Sequence, residues 1–269
     1  MSEPLCTDPA DDLLVPMPYA VYAAIRERAG ERTAPLVDRL LRSSLALTPA
    51  LDDGSGGEPA AGPAVGLLGG PAALPADVAW PRHGEHPMQL LAQLDCAGLA
   101  EAHRTTGPGG PWPLPADGLL LFFHDDLFSD YAGHGCRVLH VPAGAPPRPE
   151  PAGRGEFAPL AAVPLRADWA LSAPSYQDRE LEDLFPDDFM VALDLASDFR
   201  DHLPGPDVRV LGWCDTDTGR HEGHRPLLQV EASAAGAHWG ETVNVSFWIT
   251  DEDLAAGRFD RVRHGMEVA

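Results

Sequence analysis

The sequence contains no lysine: its 19 basic residues are all arginine, set against 41 aspartates and glutamates for a formal charge of −22. Such a field repels phosphate backbones and anionic headgroups, so it argues against nucleic acid and membrane surfaces as partners and favours a basic protein, a basic peptide or a cation. Cysteine is scarce too. Cys6, Cys96, Cys136 and Cys214 form no CxxC pair, which leaves no zinc ribbon or redox motif and fits free thiols in a reducing compartment. No apolar run approaches the roughly 20 residues of a membrane span. The acidic start, with Glu3, Asp8, Asp11 and Asp12, is unlike a signal peptide, and the expected location is the cytoplasm. Reactive motifs are missing as well. There is no Gly-x-Ser-x-Gly elbow, and the glycine-rich stretches at 54–57 and 107–110 lack the Gly-Lys-Ser/Thr that holds a nucleotide phosphate. No cofactor is expected.

What is present in quantity is proline and glycine, 28 and 27 residues in a chain of 269, which is long enough to bury a core without staples. From Pro18 the apolar positions Tyr19, Tyr22, Ile25 and Ala29 recur at helical spacing up to Gly30. A second helix is expected from Pro35, with Leu36, Val37, Leu40, Leu41 and Leu45 on one face. Residues 1–66 thus read as an N-terminal helical arm and linker, the linker running from Thr48 to Pro63, and residues 67–269 as the main domain. A second proline-rich linker spans Pro142 to Pro159. In the main domain the signal changes to short apolar or alternating runs at 88–94, 119–123, 137–141, 208–211, 227–230 and 243–249, each of strand length. An acidic helical insertion carries Leu181, Leu184, Phe185, Met190, Leu193 and Phe199. The fold class expected is α+β, mainly antiparallel sheet.

Self-comparison adds an internal duplication. Leu68-Gly69 recurs as Leu211-Gly212, Leu91-Ala92-Gln93-Leu94-Asp95 as Leu227-Leu228-Gln229-Val230-Glu231, and Leu121-Phe122-Phe123-His124-Asp125 as Ser246-Phe247-Trp248-Ile249-Thr250. The blocks keep their order, so two related halves are expected at about 67–141 and 208–262, packed around a pseudo-two-fold axis. The first half is longer by a loop around Pro108 to Asp117, an insertion that costs little closure entropy.

The same blocks resemble the signature of the YwqG-like family. They are Gly69-Gly70-Pro71, Leu74-Pro75, Val78, Trp80-Pro81, Leu91-Ala92-Gln93-Leu94-Asp95, Gly118-Leu119-Leu120-Leu121-Phe122-Phe123, Leu227-Leu228-Gln229 and His238-Trp239-Gly240-Glu241. The likeness runs from about Leu67 to Val262. It implies a bacterial protein with an α+β fold dominated by antiparallel sheet, and it brings neither a function nor catalytic residues. Trp213-Cys214 departs from the pattern, since the family continues the preceding glycine with Tyr-Pro.

Four residues are the candidate ligand-binding set. Gln93 and Gln229 are polar amides in otherwise apolar strands at matched places in the repeat, and Trp80 and Trp239 are large flat surfaces beside turns. Buried amides must find partners, either in neighbouring backbone or in a ligand. Lining a cleft between the halves, the four would recognise a protein or peptide without catalysis. The competing expectation is a metal-assisted hydrolase or other small-molecule enzyme using His221-Glu222-Gly223-His224, or His124-Asp125-Asp126, with nearby carboxylates. Against it, the His-x-x-His sits in a glycine-rich loop without a helical frame, and Asp215-Thr216-Asp217-Thr218-Gly219 lacks the later ligands of a calcium loop. No metal site is therefore assigned.

Overall fold

The computed structural model describes residues 6–7, 14–15, 23–24, 26–27, 40–50, 63–107, 111–125, 135–152, 159–203, 205–214, 221–236 and 242–268. In chain order the strands are β1 (Cys6–Thr7), β2 (Leu14–Val15), β3 (Arg42–Pro49), β4 (Gly66–Leu68), β5 (Arg82–His83), β6 (His86–Pro87), β7 (Gln89–Asp95), β8 (Leu119–His124), β9 (Cys136–Val141), β10 (Val163–Ser172), β11 (Val208–Leu211), β12 (Arg225–Glu231), β13 (Thr242–Ile249) and β14 (Arg263–Val268). The helices are α1 (Cys96–Thr106), α2 (Arg179–Leu184), α3 (Phe189–His202), α4 (Ala232–Ala235) and α5 (Asp251–Ala255).

Ten strands form one sheet in the order β14-β13-β12-β11-β3-β10-β4-β7-β8-β9. Every neighbouring pair is antiparallel, so the protein is mostly antiparallel sheet with a few helices, as an α+β fold expects. The six runs read as strands in the sequence are β7, β8, β9, β11, β12 and β13. The middle of the sheet is different. β3 occupies residues expected in a helix of the N-terminal arm, and β10, the longest strand, lies where no strand was expected. In β3, Leu45 and Leu47 alternate into the core at 0% and 1% exposure, a period of two that tertiary pairing on both edges imposes. Of the expected second helix, Leu40 is helical and residues 36–37 lie outside the described residues; of the first, Ala23, Ala24, Arg26 and Glu27 are helical.

The sheet is rolled. Phe122 of β8 meets Phe247 of β13 edge to face with ring centroids 5.1 Å apart, although six strands lie between them in the sheet order. The thiol of Cys136, at the start of β9, donates to Val262 O just ahead of β14 at 3.3 Å. Both ends of the sheet therefore close over one apolar interior, built from Leu45, Leu94, Phe122, Leu165, Val210, Val230 and Phe247 among others. Apolar burial of this kind, at about 25 cal/mol per Å², is the main stabilising term. Cys96 is buried at the foot of α1, and burial pushes its thiol up to about 12.

Two smaller clusters lie outside the roll. In one, α2 and α3 place Leu181, Leu195, Ala196 and Phe199 on Leu40 and Leu171; the α3 start is capped by Asp188, whose carboxylate accepts from Val191 N at 3.3 Å. In the other, the segment between β4 and β7 lays Ala72, Leu74, Trp80 and Met88 over Leu90, Leu121, Phe123 and Val141 on the outer face of β7, β8 and β9. Among the described residues no helix is long and apolar enough to cross a membrane.

Candidate functional site

Three of the four candidate residues from the sequence are buried. Gln93 is 6% exposed; its Nε2 donates to Pro71 O at 2.9 Å and its Oε1 accepts from Ala73 N at 3.1 Å. The amide thus clamps the segment that crosses its own strand. Trp80 donates from Nε1 to Met88 O at 2.9 Å and stands edge-on to Phe123 at 5.4 Å, inside the outer apolar cluster. Gln229 is 1% exposed, opposite Arg209 on one side and Ser246 on the other. Trp239 lies outside the described residues.

The clamp carries its own test. Gln93→Leu keeps roughly the volume but removes the partner of the part-buried Pro71 carbonyl and Ala73 amide, so a loss of about 1 kcal/mol is expected in urea unfolding. An unchanged midpoint would show that water replaces the amide there.

The histidines singled out in the sequence are separately engaged. His124 is fully buried, its Nε2 donating to Gln89 Oε1 at 2.9 Å, while Asp125 Oδ2 meets His83 Nδ1 at 2.5 Å. His221 donates from Nε2 to His264 O at 2.8 Å, and its ring lies 5.7 Å from that of His224. Among the described residues no group of three or more His, Cys, Asp or Glu side chains is placed to hold a metal ion. Residues 215–220, which contain the Asp-x-Asp-x-Gly turn, and Asp126 lie outside the described residues.

A cleft of about 830 Å³ opens beside the second-half strands. One wall is α2 and the turn before it, with Asp178, Glu180 and Asp183; the other is the 221–225 segment and the start of α5, with Glu222 and Asp251. Behind them lie Trp213, two residues past β11, and Trp248, of β13, both buried at 3% and 4% exposure. Trp213 is fixed by donating from its indole to Leu40 O, and Trp248 by donating to Ser246 Oγ at 2.8 Å. Over Trp213 lies Arg42, its guanidinium carbon 3.4 Å from the ring centroid, a cation–π contact. Burial lowers the Arg42 pKa from its ordinary value, and Glu180 at 3.2 Å opposes that shift.

Five carboxylates face three guanidiniums in this lining, and each guanidinium already has an acid. Arg42 meets Glu180, Arg179 meets Glu222 at 3.0 Å, and Arg225 meets Asp251 at 3.2 Å. These exposed pairs contribute little to stability. Their importance is electrostatic: the cleft keeps an excess of negative charge. Such a lining suits a cationic group that can pair with the exposed acids, with the bidentate guanidinium preferred over ammonium.

Of the residues in this cleft, sequence reasoning weighed His221, Glu222, Gly223 and His224 as metal ligands and assigned no metal to them. One signal pointed to the place. Trp213-Cys214 stood out as a departure from the pattern of the resemblance, and Trp213 is the residue under Arg42.

Among the described residues the molecule is thus a rolled antiparallel sheet with an acidic cleft beside Trp213 and Trp248. The family of domains of unknown function called DUF1963 matches residues 67–267, about three quarters of the chain, and the chain belongs to that family. No curated protein matches it.

Proposed function

We propose that this protein is a tandem duplication that acts as a cytoplasmic, non-catalytic binding module for basic peptides, with the cleft over Trp213 and Trp248 as its site. The likeness to the YwqG-like blocks and a bacterial origin belong to the same reading. The duplication draws support from strand registers. Gln93 stands opposite Leu67 and Leu121, Gln229 opposite Arg209 and Ser246, so the two amides occupy the same place in β4-β7-β8 and β11-β12-β13. The pairing is irregular at Leu91 in β7 and at Leu227 in β12, which are the matched residues of the repeat. By the same registers Leu68 corresponds to Val210, one residue from the match read in the sequence, and Gly69-Gly70 (φ 56° and 75°) then fall on Leu211-Gly212 (φ 63° and 77°). A further correspondence is that Phe122 and Phe247, equivalent in the repeat, touch each other.

The observation that carries the peptide reading is the cleft lining, with five carboxylates beside two tryptophans in a chain of charge −22. Electrostatic complementarity sets which partners approach, and carboxylate–guanidinium pairs retain arginine once it arrives.

The test is a titration of the full chain with a fluorescein-labelled, terminally capped Ala-Arg-Ala-Ala-Arg-Ala peptide. Saturable binding that weakens with added salt is expected. The double variant Glu222→Arg/Asp251→Arg is expected to weaken it about tenfold or more, whereas Asp194→Arg/Asp201→Arg on α3, an equal change in net charge, weakens it far less. Equal losses in the two variants would mean that the overall field, and not this cleft, attracts the peptide.

A further inference from the structure

Beside the acidic cleft lies a second cavity, of about 200 Å³, whose charge has the opposite sign. It is bounded by the turn after β10, the end of α3 and β11. Among the described residues its lining carries two guanidiniums, Arg200 and Arg209, and no carboxylate, in a chain of charge −22. Arg209 is 2% exposed. Val208 and Val210 on either side of it belong to the apolar interior, so strand alternation turns Arg209 to the other face, where its Nη1 donates to Ser44 Oγ at 3.2 Å. Arg200 stands in the last turn of α3 and is exposed. Among the described residues no carboxylate pairs with it, whereas each of the three guanidiniums in the cleft has an acid. Ala196, Phe199 and Leu203 supply apolar wall, and such surroundings strengthen an ion pair formed between them. The two cavities adjoin, since Cys214 lines both.

We infer that the smaller cavity takes the C-terminal carboxylate of the bound peptide, with Arg200 and Arg209 as its partners, while arginines of the same peptide meet the acids of the cleft. The inference rests on the basic-peptide reading above and makes it more specific: the ligand is a basic chain end, not an internal segment. Size and chemistry both favour a carboxylate. A water takes about 30 Å³, so the cavity has room for a carboxylate with a small terminal residue. A guanidinium meets a carboxylate through two parallel N–H···O bonds, the strongest pairing open to an arginine. A peptide end also carries both charges on one short chain, so that filling one cavity raises the effective concentration of the other charge at its own site. The field of the whole chain makes the sign of the effect diagnostic. At −22 it repels a carboxylate, so without a dedicated site a free C-terminus weakens binding.

The test titrates the full unaltered chain with three peptides labelled with fluorescein at the N-terminus: Ala-Arg-Ala-Ala-Arg-Ala as the free acid, the same sequence as the C-terminal amide, and the free acid with both arginines replaced by alanine. The arginine-containing acid is expected to bind about tenfold tighter than its amide, and the all-alanine acid at least tenfold more weakly than either. The advantage of acid over amide should disappear in Arg200→Gln, a substitution at an exposed position, with thermal unfolding confirming that the variant is folded. An acid that binds no tighter than its amide overturns the inference and leaves the basic-peptide reading intact. Binding of neither overturns both. An all-alanine acid that binds as well as the arginine-containing one shows a carboxylate site independent of the cleft, and an acid advantage that persists in Arg200→Gln places the carboxylate elsewhere; each overturns the inference.

Discussion

Truncation of Phe247 to alanine is expected to lower the free energy of unfolding by about 3–5 kcal/mol, and Phe122→Ala by a similar amount. Both rings are buried, at 0% and 1% exposure, and each would leave a cavity that the rolled sheet cannot fill by collapse, since hydrogen-bonded strands hold its walls. The more telling measurement is the double variant. Because the two rings touch at 5.1 Å, each single truncation already forfeits their shared contact. The double loss should therefore fall short of the sum by about 0.5–1.5 kcal/mol, the usual worth of an aromatic pair. Urea unfolding of the four proteins measures it. Strict additivity would mean that β8 and β13, with six strands between them in the sheet, do not meet, and the closure of the roll would have to be abandoned.

Gly212→Val is expected to be at least as damaging, at about 3 kcal/mol or more, and to prevent accumulation of folded protein if the parent is marginal. Gly212 has φ +77°, a region closed to β-branched residues. A Cβ there would also overlap Ser172 Oγ and come to 2.8 Å from Ser44 Cβ, so the new side chain would be driven into the seam of β3 and β10. The same seam holds Trp213 behind the cleft, because Trp213 N donates to Ser172 Oγ at 2.9 Å. Gly223→Val is the control. Its φ is +70°, but nothing lies within 4 Å of the added Cβ, so only backbone strain of about 1–2 kcal/mol is expected. If both substitutions cost the same in thermal or urea unfolding, the contact with Ser172 and Ser44 carries no weight and the strain of the backbone is the whole effect.

The strands that were legible in the sequence and those that were not differ in a physical way. β7, β8, β11, β12 and β13 are nearly continuous buried runs, because helices or crossing segments cover much of their outer face; such runs are recognisable by length and by bounding turns. β3 was read as helix because Leu41 and Leu45 are four apart, while Leu45 and Leu47, which the strand uses, are two apart; five residues cannot separate the two periods. β10 was missed because Pro164, Arg166 and Asp168 alternate with Val163, Leu165 and Ala167, and a proline in a run argues against a central strand. Its partner positions on β3 lie more than a hundred residues away in sequence, from Leu165 with Pro49 to Ser172 with Arg42.

The cleft shows the same division. In the sequence Trp213 stood out only as a departure from the pattern of the resemblance and Trp248 only within a block of the expected duplication, while Arg42 comes from β3, Glu180 from α2, Glu222 from the segment ahead of β12 and Asp251 from the start of α5. Their convergence depends on the roll.

Local pattern in this chain was sufficient for β7, β8, β9, β11, β12 and β13 and for its acidic helical insertion, since these follow from side-chain period, turn chemistry and composition. Which two strands meet at the middle, how the ends close on Phe122 and Phe247, and which acids stand over which indoles were decided by tertiary structure alone. The reason is that each depends on pairings between distant segments, where the gain from burial and ladder hydrogen bonds outweighs the weak local preference of a few residues.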